Sequence, residues 1–202
     1  MKKLVSTLSV MILLILACSA CGTSSSTSKT ETLAASKQAS PTSTASATEP
    51  RWGVQTKTSG CRANGPLPDK ECTPGDIIPT ATKNQVCQPG YASAVRNVPT
   101  STKTRAYRMY GIVSHRPGQY EVDHLVSLEL GGSNDISNLW PEAASPKPGF
   151  HEKDRVENYL HNQVCSGAIS LQQAQIEIAT NWLNVYKTMP KNETGSSNTD
   201  SQ

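Results

Sequence analysis

Aromatic residues are scarce in this 202-residue chain: they make up 5% of it, and Phe150 is the single phenylalanine. With so few large rings the core must be modest, and the fold needs some other source of stability. Long apolar runs are lacking too. The N-terminal apolar run is too short for a permanent span and no other stretch is long enough for one, which excludes a multispanning membrane protein. No heptad or longer repeat is present, and the 13 Gly and 13 Pro follow no triplet period, so a coiled coil, a repeat array and a collagen-like chain are excluded. Among Cys61, Cys72, Cys87 and Cys165 no pair has CxxC spacing. Carboxylates are missing altogether between Asp76 and Glu121.

The one apolar run lies at the start. Lys2 and Lys3 precede Val10 to Ala17 (VMILLILA), the layout of a signal peptide over residues 1–17. Ile15-Leu16-Ala17-Cys18 is similar to a lipobox, in which Cys18 would be lipidated after cleavage. Cys21 is a second candidate, although Cys18 stands where that motif prefers an aliphatic residue, and an ordinary secretory signal is the alternative. In each case the mature chain is expected to work outside the cytoplasm, anchored in the membrane or secreted. The formal net charge is +3, and loss of Lys2 and Lys3 leaves 17 basic against 16 acidic residues. Bulk charge therefore names no partner.

Residues 18–51 read as a Ser/Thr-rich tether: 15 of the 29 residues in 22–50 are Ser or Thr, too polar to offset the entropy of ordering them. Residues 191–202 are equally polar, and 189–202 are expected to be a disordered tail. The folded unit is expected over 52–188. Within it Cys61, Cys72, Cys87 and Cys165 form an even set, which in an exported domain suggests two disulfides with three connectivities. The favoured one joins Cys61 to Cys72, closing a Pro/Gly-rich loop, and Cys87 to Cys165, tying the front of the domain to a late helix. A zinc site is the rival reading, but no His stands beside these cysteines in sequence.

Residues 61–90 read as an irregular, stapled arm. Lys103 to Tyr110 reads as a short helix ended by Gly111, Gln119 to Leu125 as a strand, and Asn138 to Trp140 as a second strand stopped by Pro141. Val156, Tyr159, Leu160 and Val164 recur on one face of a helix over 151–165. Ser170 can cap a further helix with the stripe Leu171, Ala174, Ile178, Trp182, Val185. Both stripes, with Trp140 and Trp182, are expected in the core. His115 and His161 read as ordinary surface or helix-face residues. The fold class is α+β.

The stretch from Glu121 to Glu157 carries the chemistry. Asp123-His124 ends a strand, a Gly-rich loop follows, Asn138-Leu139 comes next, and His151-Glu152-Lys153-Asp154 opens a helix. An aspartate beside a base can hold a divalent cation that neutralises a scissile phosphate. A neutral imidazole can take a proton from attacking water near pH 7. Neighbouring strand residues point to opposite faces, so Asp123 and His124 can share a site only where the strand bends or ends.

EVDHLVSLELGGSNDISNLWPE resembles the HNH, or ββα-metal, nuclease motif. The likeness extends to a family of secreted bacterial HNH-type proteins through Cys72-Thr73-Pro74-Gly75, Val86-Cys87-Gln88-Pro89-Gly90-Tyr91, Val95-Arg96 and Tyr110-Gly111 before the motif. After it, Val156-Glu157-Asn158 and Val164-Cys165-Ser166-Gly167 match; the resemblance covers roughly residues 70–187. It implies a ββα-metal core with a disulfide-stapled N-terminal arm and C-terminal helices. It implies that His124 is the general base, Asp123 a metal ligand, and Asn138 the loop asparagine that pins the strands and orients the base. The second metal ligand is split between His151 and Glu157, with Asp154 third, because His151 follows Asn138 by thirteen residues, farther than in common HNH motifs.

Six cations, among them Arg105 and Arg108, fill the carboxylate-free segment, and with Lys153 they are candidate phosphate contacts. The expected function is a metal-dependent endonuclease hydrolysing nucleic-acid phosphodiesters, DNA favoured over RNA. One divalent cation is expected, Mg²⁺ or Mn²⁺ with Zn²⁺ as an alternative. A non-catalytic surface lipoprotein that uses the same fold for binding is the main alternative, and a hydrolase of another phosphate-rich polymer the more remote one.

Overall fold

The computed structural model describes residues 49–191. The signal peptide, Cys18, Cys21, most of the tether and residues 192–202 lie outside the described residues. The domain begins with an irregular arm that runs to Thr82. Its backbone is satisfied by the loops it crosses: Ile78 N donates to Gly131 O at 2.8 Å, and Ser133 N to Asp76 O at 3.0 Å. Tyr110 ties it down further, its hydroxyl 2.8 Å from Thr73 Oγ1 and accepting from Asp69 N.

Two short helices that sequence periodicity did not show close the arm, α1 (Lys83–Val86) and α2 (Tyr91–Val95). They are too short to carry a stripe. A reciprocal cap between Thr82 and Gln85 holds the first. Helix α3 (Thr100–Met109) starts three residues earlier than expected, directly after Pro99. It packs against a two-stranded antiparallel sheet of β1 (Tyr120–His124) and β2 (Leu139–Ala143). Asp123 stands opposite Trp140 and His124 opposite Leu139. Pro141, expected to stop the second strand, lies inside it opposite Val122. A two-stranded ribbon leaves one edge of each strand without ladder partners, so a missing N–H is tolerated there.

Between the strands the chain makes two 3₁₀ turns, Leu128–Leu130 and Ile136–Asn138. Gly132 lies so close to the Val126 carbonyl that any Cβ would collide with it. After β2 come α4 (Phe150–Ser166) and α5 (Leu171–Thr188). Ser170 accepts from Gln173 N at 3.0 Å and caps α5. That helix is broken at Asn181, which is extended, and the preceding Thr180 carbonyl accepts from Lys70 Nζ at 2.8 Å.

The core lies between α4, α5 and residues 125–130. Val156, Leu160, Val164, Ala174, Ile178, Trp182 and Val185 meet Leu125, Val126 and Leu130 there. Both helical stripes thus face inward, and Trp140 and Trp182 are buried. The disulfides are Cys61–Cys72 and Cys87–Cys165, the favoured connectivity. The second joins the end of α1 to the last turn of α4 across a separation of 78 residues. Two disulfides suit an oxidising, extracytoplasmic compartment. Among the described residues no helix is long and apolar enough to cross a membrane.

Candidate functional site

Strand β1 ends at His124, and its last two side chains are both drawn inward: Asp123 is 8% and His124 3% exposed. Asp123 Oδ1 accepts from the His124 backbone N at 2.7 Å, turning the carboxylate back along the chain. Its other oxygen accepts from Lys153 Nζ at 2.7 Å. Lys153 comes from the first turn of α4 and is wholly buried. Its ammonium also donates to His124 O at 2.7 Å and to Glu157 Oε1, so three N–H groups meet three oxygens. Burial opposes the charge on Lys153, but the acidic groups around it, Asp123 foremost, outweigh it and hold the pKa above that of a free lysine. Burial likewise opposes the charge on Asp123, and Lys153 keeps it ionised.

Glu142 of β2 completes the network, and sequence reading missed it. It is fully buried, and no fixed donor reaches either carboxyl oxygen. Burial therefore holds it well above the carboxylate range. The nearby Asp123 charge raises it further. Burial and the nearby Asp123 charge also push Glu157 up to about 8, against the pull of Lys153.

His124 is held at its ring by a residue that sequence reading also missed. Its Nε2 lies 3.2 Å from Asn134 Oδ1, while Asn134 Nδ2 donates to Val95 O at 2.8 Å. An amide oxygen only accepts, so Nε2 carries the proton and Nδ1 holds the free lone pair. Burial pushes His124 down to about 4, against the charge of Asp123, and the ring is neutral at pH 7. Asn138 is fully buried and spends its whole amide on backbone. Its Oδ1 accepts from Val126 N (2.9 Å) and Asp76 N (3.2 Å), and its Nδ2 donates to Val126 O (2.9 Å) and Ser133 O (2.8 Å). No atom of it remains for a substrate, so Asn138 is a positioning residue.

A cleft of about 350 Å³ opens between the α1–α2 segment and α4; Arg96, Glu129, Asp154, Glu157, Asn158 and His161 are among its lining residues, and Asp123 and His124 are not. Burial and the Asp123 charge raise Asp154 to about 6. Three expected residues stand elsewhere. His151 is on the surface, packed on Phe150 and 3.9 Å from Asp154 Oδ2. Arg105 and Arg108 are exposed on α3 and do not line this cleft, whereas Arg96 does. Among the described residues none of these three arginines makes an ion pair, so they are not tied up with Glu152, which Lys147 holds at 3.2 Å. Lys153, expected to contact phosphate, cannot do so from its buried place.

Asp123, His151 and Glu157 do not form a ligand cage. Among the described residues one set of three donor atoms comes within 4.8 Å of one another, and it is Cys87, His161 and Cys165. His161 Nε2 lies 3.4 Å from Cys165 Sγ and 3.0 Å from Val86 O. This Cys-His-Cys cluster could hold a metal ion once its disulfide is reduced, because metal ligation needs thiolates. The readable signal was His161 four residues before Cys165 on one helix face; sequence reading had set His161 aside. No family model matches the chain, and neither a curated protein nor a solved structure matches it.

Proposed function

We propose that this protein is an extracytoplasmic endonuclease of HNH type that hydrolyses nucleic-acid phosphodiester bonds, DNA favoured over RNA. The observation that carries the reading is the order β1, loop, β2, α4, with Asp123-His124 ending the first strand and Asn138 lacing the loop to the second. In this reading His124 is the base. Asn134 holds its Nε2 proton, and Nδ1 accepts a proton from water as that water attacks phosphorus and a P–O bond breaks. Arg96 faces the charge on the phosphate. Arg105 and Arg108 give sequence-independent backbone contacts farther along α3. An N-terminal lipid on Cys18 would keep the enzyme at the membrane.

The resemblance also implies Mg²⁺ or Mn²⁺, or else Zn²⁺, on Asp123. As folded, the residues do not fit it: both Asp123 oxygens are engaged by protein donors, and His151 is on the surface. A second reading, a binding lipoprotein without catalysis, is favoured by the burial of His124, which is only 3% exposed.

Digestion of plasmid DNA and of RNA by the purified, oxidised protein separates the two. It is run with Mg²⁺, Mn²⁺, Zn²⁺ or EDTA, with His124→Ala as the control for a contaminating nuclease. Cleavage lost in the variant supports the endonuclease and names its substrate. Intact nucleic acid after incubation with folded protein supports the binding module.

A further inference from the structure

The carboxylates at the end of β1 face a cation, and that cation belongs to the chain. We infer that the Lys153 ammonium is the resident cation of this site and takes the place of a divalent ion, so that Asp123 binds no metal. Three observations carry this. Asp123 Oδ2, His124 O and Glu157 Oε1 converge on Nζ, a shell of hard oxygens such as a divalent ion would use. The ammonium meets them with its three donors and has no exposure to solvent. The remaining Asp123 oxygen already accepts from the His124 backbone N–H at 2.7 Å.

Competition favours the lysine. Mg²⁺ demands near-octahedral oxygen ligation at about 2.0–2.1 Å and gives up its waters reluctantly. Entering here, it would have to expel a covalently held cation and strand that ammonium in the protein interior. The tether also keeps Lys153 at a local concentration that a free ion does not match. No helix-borne histidine supplies a further ligand, since the side chain of His151 is 68% exposed and turned to Asp154. Lys153 thereby acts as a positioning residue. It fixes the Asp123 carboxylate and the His124 carbonyl together, and through them the end of the strand that presents the imidazole.

For catalysis the consequence rests on the endonuclease reading: hydrolysis would proceed without a divalent ion. The cation assignment itself does not depend on that reading, and its test reads the lysine directly. The mature protein is labelled with ¹⁵N-lysine, and the ammonium of Lys153 is followed by NMR while millimolar Mg²⁺ is added. The signal is assigned by its loss in Lys153→Arg or, should that variant not fold, through the Lys153 backbone. Equilibrium dialysis against Mn²⁺ runs in parallel. The expected result is a slowly exchanging ammonium signal that Mg²⁺ neither shifts nor removes, with no stoichiometric Mn²⁺ bound by the oxidised protein.

A signal lost on adding Mg²⁺, or one Mn²⁺ per chain that Asp123→Asn abolishes, overturns the inference. In the digestion assay, cleavage that survives EDTA supports it, and cleavage that needs a divalent ion held by Asp123 overturns it. If no cleavage occurs at all, the endonuclease reading fails and the NMR result still decides the cation.

Discussion

Lys153 Nζ lies 2.7 Å from Asp123 Oδ2, and the lysine reaches no solvent. An ion pair so placed contributes little over an apolar pair, yet removing one partner leaves the other charged and buried. Lys153→Met is expected to cost about 3–5 kcal/mol of stability. Asp123→Asn is expected to be destabilising too, and the double variant should lose about 2 kcal/mol less than the two single losses combined. Urea unfolding of the four proteins at pH 7 measures the coupling; strict additivity would show that the two groups do not pair.

His124 predicts a pH dependence with a definite sign. Its folded pKa, pushed down to about 4, lies below the 6.5 of a free imidazole. Between these values the unfolded chain binds a proton that the folded one refuses. Stability from this group is therefore whole above pH 6.5 and is lost as pH falls toward 4. The stability gap between wild type and His124→Gln should shrink by about 3 kcal/mol from pH 7 to pH 4. Chemical denaturation at the two pH values reads it, and a constant gap would mean that the imidazole protonates freely in the fold.

Asn138 makes four hydrogen bonds to backbone with no exposure. Asn138→Ala leaves Val126 N, Asp76 N, Val126 O and Ser133 O without that partner, at about 1–3 kcal/mol for each group that finds no other. The variant is expected to melt well below wild type, with amide exchange accelerated first at residues 126–133. Unchanged protection there would mean that the loop does not depend on the asparagine.

Reduction should act on stability and on metal affinity together. Opening Cys87–Cys165 frees a loop of 78 residues and is expected to cost about 4 kcal/mol. The freed thiols, with His161, then offer two sulfurs and a nitrogen, a set that suits Zn²⁺. Phosphine-reduced protein should take up one Zn²⁺ and recover part of the lost stability, while oxidised protein should not. His161→Ala should weaken that uptake. Equal zinc binding in both redox states would place the metal elsewhere.

Local signals were legible wherever a residue's partners are near in sequence. The stripes of Val156, Leu160 and Val164 and of Ala174, Ile178 and Trp182 predict helices that the structure contains, because a helix repeats its buried face every three to four residues. Asp123-His124 at a strand end and Asn138 beyond a glycine loop were readable for the same reason. Lys153 was misread. A lysine in the first turn of a helix is ordinarily solvated, and nothing local says that a strand thirty residues earlier brings it a carboxylate. Glu142 and Asn134 carry no local mark of their roles either.

By itself, then, the sequence determined the α+β element order from β1 onward, the inward faces of α4 and α5, and the even set of cysteines available for disulfides. Patterning, capping and turn chemistry act over a few residues and leave their trace in the order of side chains. Only the tertiary structure decided what Asp123 faces, which proton His124 keeps, and which histidine stands beside a cysteine pair. Those outcomes depend on burial, since a carboxylate, an imidazole or an ammonium out of water takes its state from whichever groups the packing sets within about 3 Å of it.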